Sequence, residues 1–306
     1  MNTGEITIIV PTYNRLDYFK TAISSILNQQ LLPLTLIIGD DSKDDRTENW
    51  VKQEQHNWPF ETRYHHNTPG LGQADNVEDL IQKVHTPYMI LLHDDDALEP
   101  NALKDLYAEM QKGRTDVVFG KQYIIDKDDR VDHTQSEHLN RTYLRTEAYA
   151  NKELDPLAVA LNQQLPSNSF LIKSTLAQEV HYHFKEQAGD AVDFYFCLQL
   201  ALRAVSFQFI NTNVSRYRIT PVSVSAGGNM AYYAYNLVKK VEVDQKHKKL
   251  KDNFLTTYAT MAIPIALRMG KPEEAKAMCF SKYHRKKLLT PGGLKRFALV
   301  MGLIKI

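Results

Sequence analysis

Tyr88-Met89-Ile90-Leu91-Leu92-His93-Asp94-Asp95-Asp96 passes within nine residues from an unbroken apolar run to three consecutive carboxylates. The apolar part lacks the alternation of a half-exposed strand and reads as a strand buried on both faces. In open α/β sheets, ligands bind beyond the carboxyl ends of the strands. Carboxylates standing there are hard oxygen ligands for Mg2+ or Mn2+, ions that keep some waters and share a substrate's phosphate oxygens. Three adjacent aspartates without a basic neighbour repel one another, so metal binding outweighs a merely solvated loop.

The segments on either side follow one alternation. Ile6–Val10 reads as an apolar strand ending at Pro11, and Tyr18, Ala22, Ile23, Ile26 and Leu27 then recur at helical spacing. Leu34–Ile38 is a second buried strand, ending at Gly39-Asp40-Asp41. A polar helix over Arg46–Gln55, a short strand Arg63–His66 and a helix Asn76–Val84 lead to the quoted run. Pro100-Asn101 opens another helix with Leu103, Leu106 and Met110 on one face and Gly113 at its close, followed by strand Val117–Phe119. This order predicts an α/β fold with a mostly parallel central sheet flanked by helices. Past Gly120 the pattern weakens. Tyr123–Ile125 and the turn Asp126–Arg130 suggest a hairpin, Glu147–Asn162 and Asp193–Arg203 helices, and Ser206–Ile210 a strand. From Ser225 on, the chain reads as helical, with a break at Pro291-Gly292-Gly293. The expected division is therefore 1–225, in two halves 1–120 and 121–225, and a helical C-terminal region over 226–306.

Composition narrows the class. In 306 residues, 43% hydrophobic content supports a substantial core. Cys197 and Cys279 lie far apart without metal-ligand spacing, as reduced thiols in a cytosolic protein do. A strand begins almost at once without a leader pattern, and no eighteen-residue apolar stretch occurs, so a cytoplasmic protein without a membrane span is expected. The net charge of +1 hides an asymmetry: eight Lys/Arg and no Asp/Glu follow Glu274, which leaves 29 basic against 36 acidic residues before that point. Such a tail favours an anionic partner.

Two acidic strand ends, Asp40-Asp41 and Asp94–Asp96, face one edge of the predicted sheet. Carboxylates can accept from a base imide or from ribose hydroxyls and can hold a metal for a diphosphate. No Gly-x-Gly-x-x-Gly and no Walker-type Gly-Lys-Ser/Thr is present, so the phosphates are expected to be held through metal. In order, the chain carries Ile8-Ile9-Val10-Pro11-Thr12-Tyr13-Asn14-Arg15, Ile37-Ile38-Gly39-Asp40-Asp41-Ser42, Asn67 with Gly72-x-x-x-Asn76, and His93-Asp94-Asp95-Asp96 with Pro100. This series resembles the signature of family 2 glycosyltransferases, inverting enzymes of the GT-A fold, closely over 6–100 and more loosely over 165–225. The resemblance implies that Pro11, Thr12, Tyr13, Arg15 and Asn76 belong to the donor nucleotide site, and that Asp40 or Asp41 accepts a uracil N–H. It makes Asp95 the metal ligand and sets Asp94 beside the ribose or the metal. The family's commonest form has Asp where His93 stands, so His93 either joins the Mn2+ or Mg2+ or packs.

An inverting transfer needs a general base for the acceptor hydroxyl. Gly189-Asp190-Ala191-Val192-Asp193 resembles the family's acidic motif at a helix start, with Ala191 replacing an acid. Asp190 is the expected base and Asp193 an acceptor or supporting contact. If one of them only caps the helix, Asp193 is that residue. Arg216–Pro221 with Ser223-Val224-Ser225 resembles the segment that closes over the donor, where Arg218 reaches the diphosphate and Thr220 stands at a usual His position. Ser167-Asn168-Ser169 is expected to face the acceptor. His65-His66 reads as structural, and Asp126, Asp128 and Asp129 as a solvated turn.

The implied activity moves one sugar from a nucleoside diphosphate donor, a UDP-sugar first, to a hydroxyl of a surface polysaccharide or lipid-linked glycan. A sugar nucleotidyltransferase would want a Gly-rich loop after the first strand, which Pro11–Arg15 lacks. A non-catalytic acidic-pocket module would leave Asp94–Asp96 unexplained. Arg285-Lys286-Lys287 and Lys295-Arg296 with the apolar Phe297–Ile304 suggest peripheral attachment to the anionic inner face of a membrane. Nucleic acid is disfavoured, since few stacking aromatics accompany the basic residues. Tyr232, Tyr233 and Tyr235 offer a surface for oligomerisation.

Overall fold

The computed structural model describes residues 4–182, 185–219 and 228–304. Thr220, Pro221 and the Ser223–Ser225 stretch, singled out above, lie outside these. The chain divides into two compact units, Met1–His183 with Phe196–Pro221, and Phe184–Tyr195 with Val222–Ile306.

The first unit is built on one sheet. Its strands are β1 (Ile6–Thr12), β2 (Thr35–Asp40), β3 (Glu61–His66), β4 (Tyr88–Leu91), β5 (Ala97–Leu98), β6 (Val117–Ile125), β7 (Val131–Asp132), β8 (Glu153–Leu154), β9 (Leu171–Lys173) and β10 (Phe207–Arg218). They lie in the order β3-β2-β1-β4-β9-β6-β10-β5, with β7 on β6 and β8 on β10. The blocks β3-β2-β1-β4 and β6-β10 are parallel, while β9 runs antiparallel between β4 and β6. From β1 the sheet grows through β2 to β3 on one side, and the chain then returns to place β4 on the other. The carboxyl ends of β1 and β4 therefore flank a topological switch point, where open α/β sheets form their ligand crevices.

Apolar runs explain these strands. Ile6, Ile8, Val10, Leu36, Ile38, Ile90 and Leu92 are fully buried in one cluster with Phe19, Ala22, Ile23 and Ile26 of the helix Leu16–Leu27. Each fully buried Ile or Leu contributes about 1.5–3 kcal/mol relative to exposure. Against β1 and β2 the helix Gln73–Gln82 buries Ala74, Asn76, Val77, Leu80 and Ile81.

The weaker second-half pattern holds in one place and is resolved differently in two. The expected hairpin is present: Ile124 and Ile125, at the end of β6, pair antiparallel with Asp132 and Val131 of β7 across the turn Asp126–Arg130. The stretch expected to be one helix over 147–162 is a single turn Glu147–Tyr149, strand β8 and a short helix Pro156–Leu161. Asn151 at φ 56° breaks it, and Asp155, whose carboxylate accepts from Ala158 N at 3.0 Å, restarts it with Pro156 in the first turn. Pro291 likewise opens a helix, Pro291–Val300, capped by the Thr290 hydroxyl, instead of breaking one.

The second unit is helical: Lys185–Ala188, a turn Gly189–Ala191, Met230–Lys240, Lys248–Arg268, Pro272–Phe280, a turn Arg285–Lys287 and Pro291–Val300. The helix Val192–Ala201 is divided between the units at Tyr195. Phe194 stacks on Phe254 at 5.2 Å between centroids, and Phe254 on Tyr258 at 4.0 Å. Tyr232 and Tyr235 are buried here, and Tyr232 bonds Glu274 and Lys271, so these rings serve the unit's own packing. Among the described residues no helix is long and apolar enough to cross a membrane.

Gly39 shows how closely the helix Gln73–Gln82 approaches β2. A Cβ there would stand 2.1 Å from Asn76 Oδ1. Gly39→Ala is expected to destabilise the chain by about 1–3 kcal/mol through overpacking, read as a lower urea midpoint at unchanged m. An unchanged midpoint would show that Asn76 can move aside freely.

Candidate active site

The acidic run leaves β4 directly into the crevice. Leu92 N still bonds Ile9 O at 3.0 Å, so His93 to Asp96 begin where the ladder ends. Each aspartate has a different partner set. Asp94 is buried, and its Oδ2 accepts from Thr12 Oγ1 at 2.8 Å and Tyr13 N at 3.2 Å. Asp95 is paired with Arg15 Nη1 at 2.7 Å, and the same nitrogen lies 3.6 Å from Asp94 Oδ1. Asp96 accepts from Asn168 Nδ2 at 2.7 Å and Arg218 N at 2.8 Å. The β1 loop therefore ties Asp94 and Asp95, while strands β9 and β10 deliver the groups that hold Asp96.

Burial, then the neighbouring Asp95 charge, raises Asp94 to about 6, against the pull of Arg15, Thr12 and Tyr13. The same two causes raise Asp96 to about 7. Carboxylates so crowded favour any added cation.

The donor set fits a divalent ion. Ligand atoms of His93, Asp95 and Asp96 all lie within 4.8 Å of one another. His93 Nδ1 faces Asn168 Nδ2 at 3.1 Å, whereas His93 Nε2 is buried without a hydrogen-bond partner. A buried imidazole nitrogen left so costs about 1–3 kcal/mol, a cost that a ligated ion would remove. Two carboxylates with one imidazole suit Mn2+ better than Mg2+, which prefers an all-oxygen octahedron.

The second acidic strand end is used internally. Asp40 is fully buried and accepts from Ser42 N at 2.7 Å and Tyr64 Oη at 2.5 Å. Burial, then this bond, raises the Tyr64 phenol well above its ordinary range. Asp41 accepts from Asn67 Nδ2, Leu71 N and Gly72 N at 2.9, 3.1 and 2.7 Å, shaping the loop before the helix Gln73–Gln82. Asn76, expected on the nucleotide, donates to Gly39 O at 2.9 Å and is buried, so it pins that helix to β2. Pro11 is in register with Gly39, and Tyr13 is 49% exposed, the most open side chain of its loop among those expected on the donor. His66 bridges Ser42 O and Glu48, an arrangement that raises its pKa chiefly through the carbonyl bond.

Arg218 departs from expectation. It is fully buried, lies over the Tyr18 ring at 4.5 Å, and donates to Asp95 O at 2.8 Å, Asp126 O at 2.5 Å and the Asp129 carboxylate. Its guanidinium thus clamps the acidic loop to the turn after β6, and that turn is a structural anchor as well as a solvated surface. Asn168 is the residue sequence reasoning misplaced: it holds His93 and Asp96, because β9 inserts beside β4 and brings 168–169 to the strand end. Asp190 and Asp193 belong to the second unit. Asp190 is exposed and accepts from Asn229 N at 2.6 Å, and Asp193 sits in the first turn of Val192–Ala201.

A parallel β3-β2-β1-β4 block with a metal-competent acidic loop at its switch point defines the class as a GT-A nucleotide-sugar transferase fold. The family model for glycosyl transferase family 2 matches residues 7–166, and the chain belongs to that family. It is 25% identical over 228 residues to the glycosyltransferase GlyG of Streptococcus pneumoniae serotype 4, covering 70% of each chain. In structure it is similar to S. aureus TarS 1–349 in complex with UDP-GlcNAc (TM-score 0.65, 13% identity, 97% of this chain and 92% of that one). It is also similar to the Pyrobaculum calidifontis mannosyltransferase PcManGT in complex with GDP-Man and Mn2+ (TM-score 0.57, 13% identity, 98% and 88%). The protein is a glycosyltransferase.

The clamp has a stability consequence. Arg218→Met should cost on the order of 3 kcal/mol, since it strands carbonyls and carboxylates that the guanidinium satisfies. A thermal melt of the nucleotide-free chain reads this directly. A melt equal to wild type would mean that the guanidinium does not support the loop.

Proposed function

We propose that the chain transfers one sugar from a nucleoside diphosphate donor, a UDP-sugar in the first instance, to a hydroxyl of a surface polysaccharide or lipid-linked glycan, with inversion and with bound Mn2+ or Mg2+. The observation that carries this reading is the cluster of His93, Asp95 and Asp96 at the β1–β4 switch point, in which His93 Nε2 is buried without a hydrogen-bond partner. The donor complexes of TarS and PcManGT support a nucleoside diphosphate, and the latter's Mn2+ supports the cation. Residues 1–120 are proposed for the donor, 121–225 for the acceptor and 226–306 as an appendage.

His93, Asp95 and Asp96 would hold the cation, which when bound neutralises charge on the departing diphosphate. Thr12 and the Tyr13 amide fix the buried Asp94 so that its other oxygen is offered toward the ribose. Asp41, set in its loop, is the proposed imide acceptor, because Asp40 is the more deeply enclosed of the two. Arg15 keeps Asp95 neutralised in the cation's absence. Its side chain is 39% exposed, free enough to turn to the diphosphate once Asp95 has another partner. Asp190 is proposed to take the acceptor hydroxyl's proton as that oxygen bonds the anomeric carbon and the bond to diphosphate breaks.

Calorimetry with UDP, dTDP and GDP, each with and without Mn2+, tests the donor site. Binding of one nucleotide only with Mn2+, abolished by Asp95→Ala, is expected; metal-independent binding would overturn the cation's role. Arg15→Met should shift the two ligands in opposite directions, binding Mn2+ alone more tightly and the Mn2+-nucleotide more weakly.

Asp190→Asn keeps an oxygen for the Asn229 amide and so should fold and bind donor normally. Transfer should fall by about 10²-fold or more, the scale of a positioned acid or base. Near-normal transfer in Asp190→Asn with a dead Asp193→Asn would reverse the two roles.

A further inference from the structure

The second unit carries, over residues 280–304, an exposed surface to which none of the residues proposed above for transfer belongs. Of the thirteen exposed large hydrophobic residues among those described, six fall between Phe280 and Ile304: Phe280, Leu289, Leu294, Met301, Leu303 and Ile304. Leu289 is 89% exposed and Leu303 70%, far beyond what scattered surface leucines show. Within the same stretch Lys282, Arg285, Lys286 and Lys295 are exposed, and no Asp or Glu follows Glu274.

Local chemistry makes this one built face. The Thr290 hydroxyl caps the helix Pro291–Val300 by accepting from Gly293 N at 3.1 Å, with Pro291 in its first turn. Gly293 lies so close to the Arg285–Lys287 turn that a Cβ would meet Lys287 O at 1.7 Å. The inward side of the helix is occupied: Gly293 is buried, Arg296 Nε bonds His284 Nε2 at 2.9 Å, and Phe297 packs edge-on against Phe280 at 5.9 Å. Leu294 and Met301, two turns apart, are left on the outward side with Lys295 between them. The basic turn and the apolar stripe are thus locked together.

We propose that this face docks on an anionic lipid bilayer surface, with Leu289, Leu294, Met301 and Leu303 entering the boundary between headgroups and acyl chains and Lys286 and Lys295 at the phosphates. A ten-residue helix is about 15 Å long, half a hydrocarbon core, so it lies in the interface and does not span. Charge complementarity selects this occupant. A second copy docked face to face would bring two predominantly basic faces together, with Lys282 alone given an acidic partner, Asp252. Nucleic acid would lack stacking partners, because Tyr283 is engaged edge-on with Tyr235 and by Lys282.

Co-sedimentation of the full chain with vesicles of phosphatidylcholine alone, or mixed with phosphatidylglycerol, tests this without any donor or acceptor. Its outcome is therefore separable from that of the transfer reading. Binding to the mixed vesicles only is expected, weakened by salt and by about fivefold for each basic residue removed through Lys286→Gln or Lys295→Gln. Leu294→Asp with Met301→Asp should abolish it while far-UV circular dichroism and the melt stay those of wild type. Equal binding to both vesicles, no binding, or binding indifferent to these substitutions would overturn the proposal. So would a concentration-dependent dimer that Leu294→Asp dissolves.

Discussion

Mutual repulsion among Asp94, Asp95 and Asp96 is the constraint around which the first unit is arranged. Burying an unpaired carboxylate costs several kcal/mol, and three in sequence cannot share one solution. Asp94 is met from the β1 loop by Thr12 and Tyr13, Asp95 by Arg15, and Asp96 by Asn168 and the Arg218 amide. These partners come from β1, β9 and β10, so the sheet order that joins those strands is also what makes the acidic loop tolerable. Even so, burial first and the neighbouring Asp95 charge second keep Asp94 and Asp96 well above the ordinary carboxylate range.

The same economy separates residues that face the crevice from those that shape it. Asp40, Asp41, Asn67 and Asn76 form a linked set of internal bonds, from Tyr64 through the loop to Gly39, of which Asp41 alone is proposed to meet a ligand as well. Residues of a glycosyltransferase motif thus divide by function: some offer atoms to a ligand, and others fix the backbone from which those atoms project. Tyr13 and Arg15 are proposed for the first kind, and the bonds of Asn76 and Arg218 put them in the second. Arg218 shows that a charged residue near a catalytic loop can be wholly spent on architecture.

The first half of the fold was legible because its signals are local. Apolar strands Ile6–Val10 and Tyr88–Leu92, the helical spacing of Ala22, Ile23 and Ile26, and the acidic strand ends each lie within a few residues. The rest depends on contacts distant in sequence. Nothing near Leu171–Lys173 announces an antiparallel strand between β4 and β6, so Asn168 could be seen as polar but not as the holder of His93 and Asp96. Likewise Arg218 is 122 residues from Asp96, and its burial follows from the length of β10, which the short apolar stretch Ser206–Ile210 understates. Composition misled where a turn residue reset the chain, as Asn151 and Asp155 do between Glu147 and Leu161. In the tail, the proline and glycines that looked like a break form a helix start.

The most direct test of the central claim is a crystal of the chain grown with Mn2+ and the nucleotide that binds it, with anomalous data collected at the manganese edge. The account predicts one strong peak at ligating distance from His93, Asp95 and Asp96, with Arg15 turned away from Asp95. A peak elsewhere, or a bound nucleotide with Arg15 still on Asp95 and no manganese between them, would contradict it.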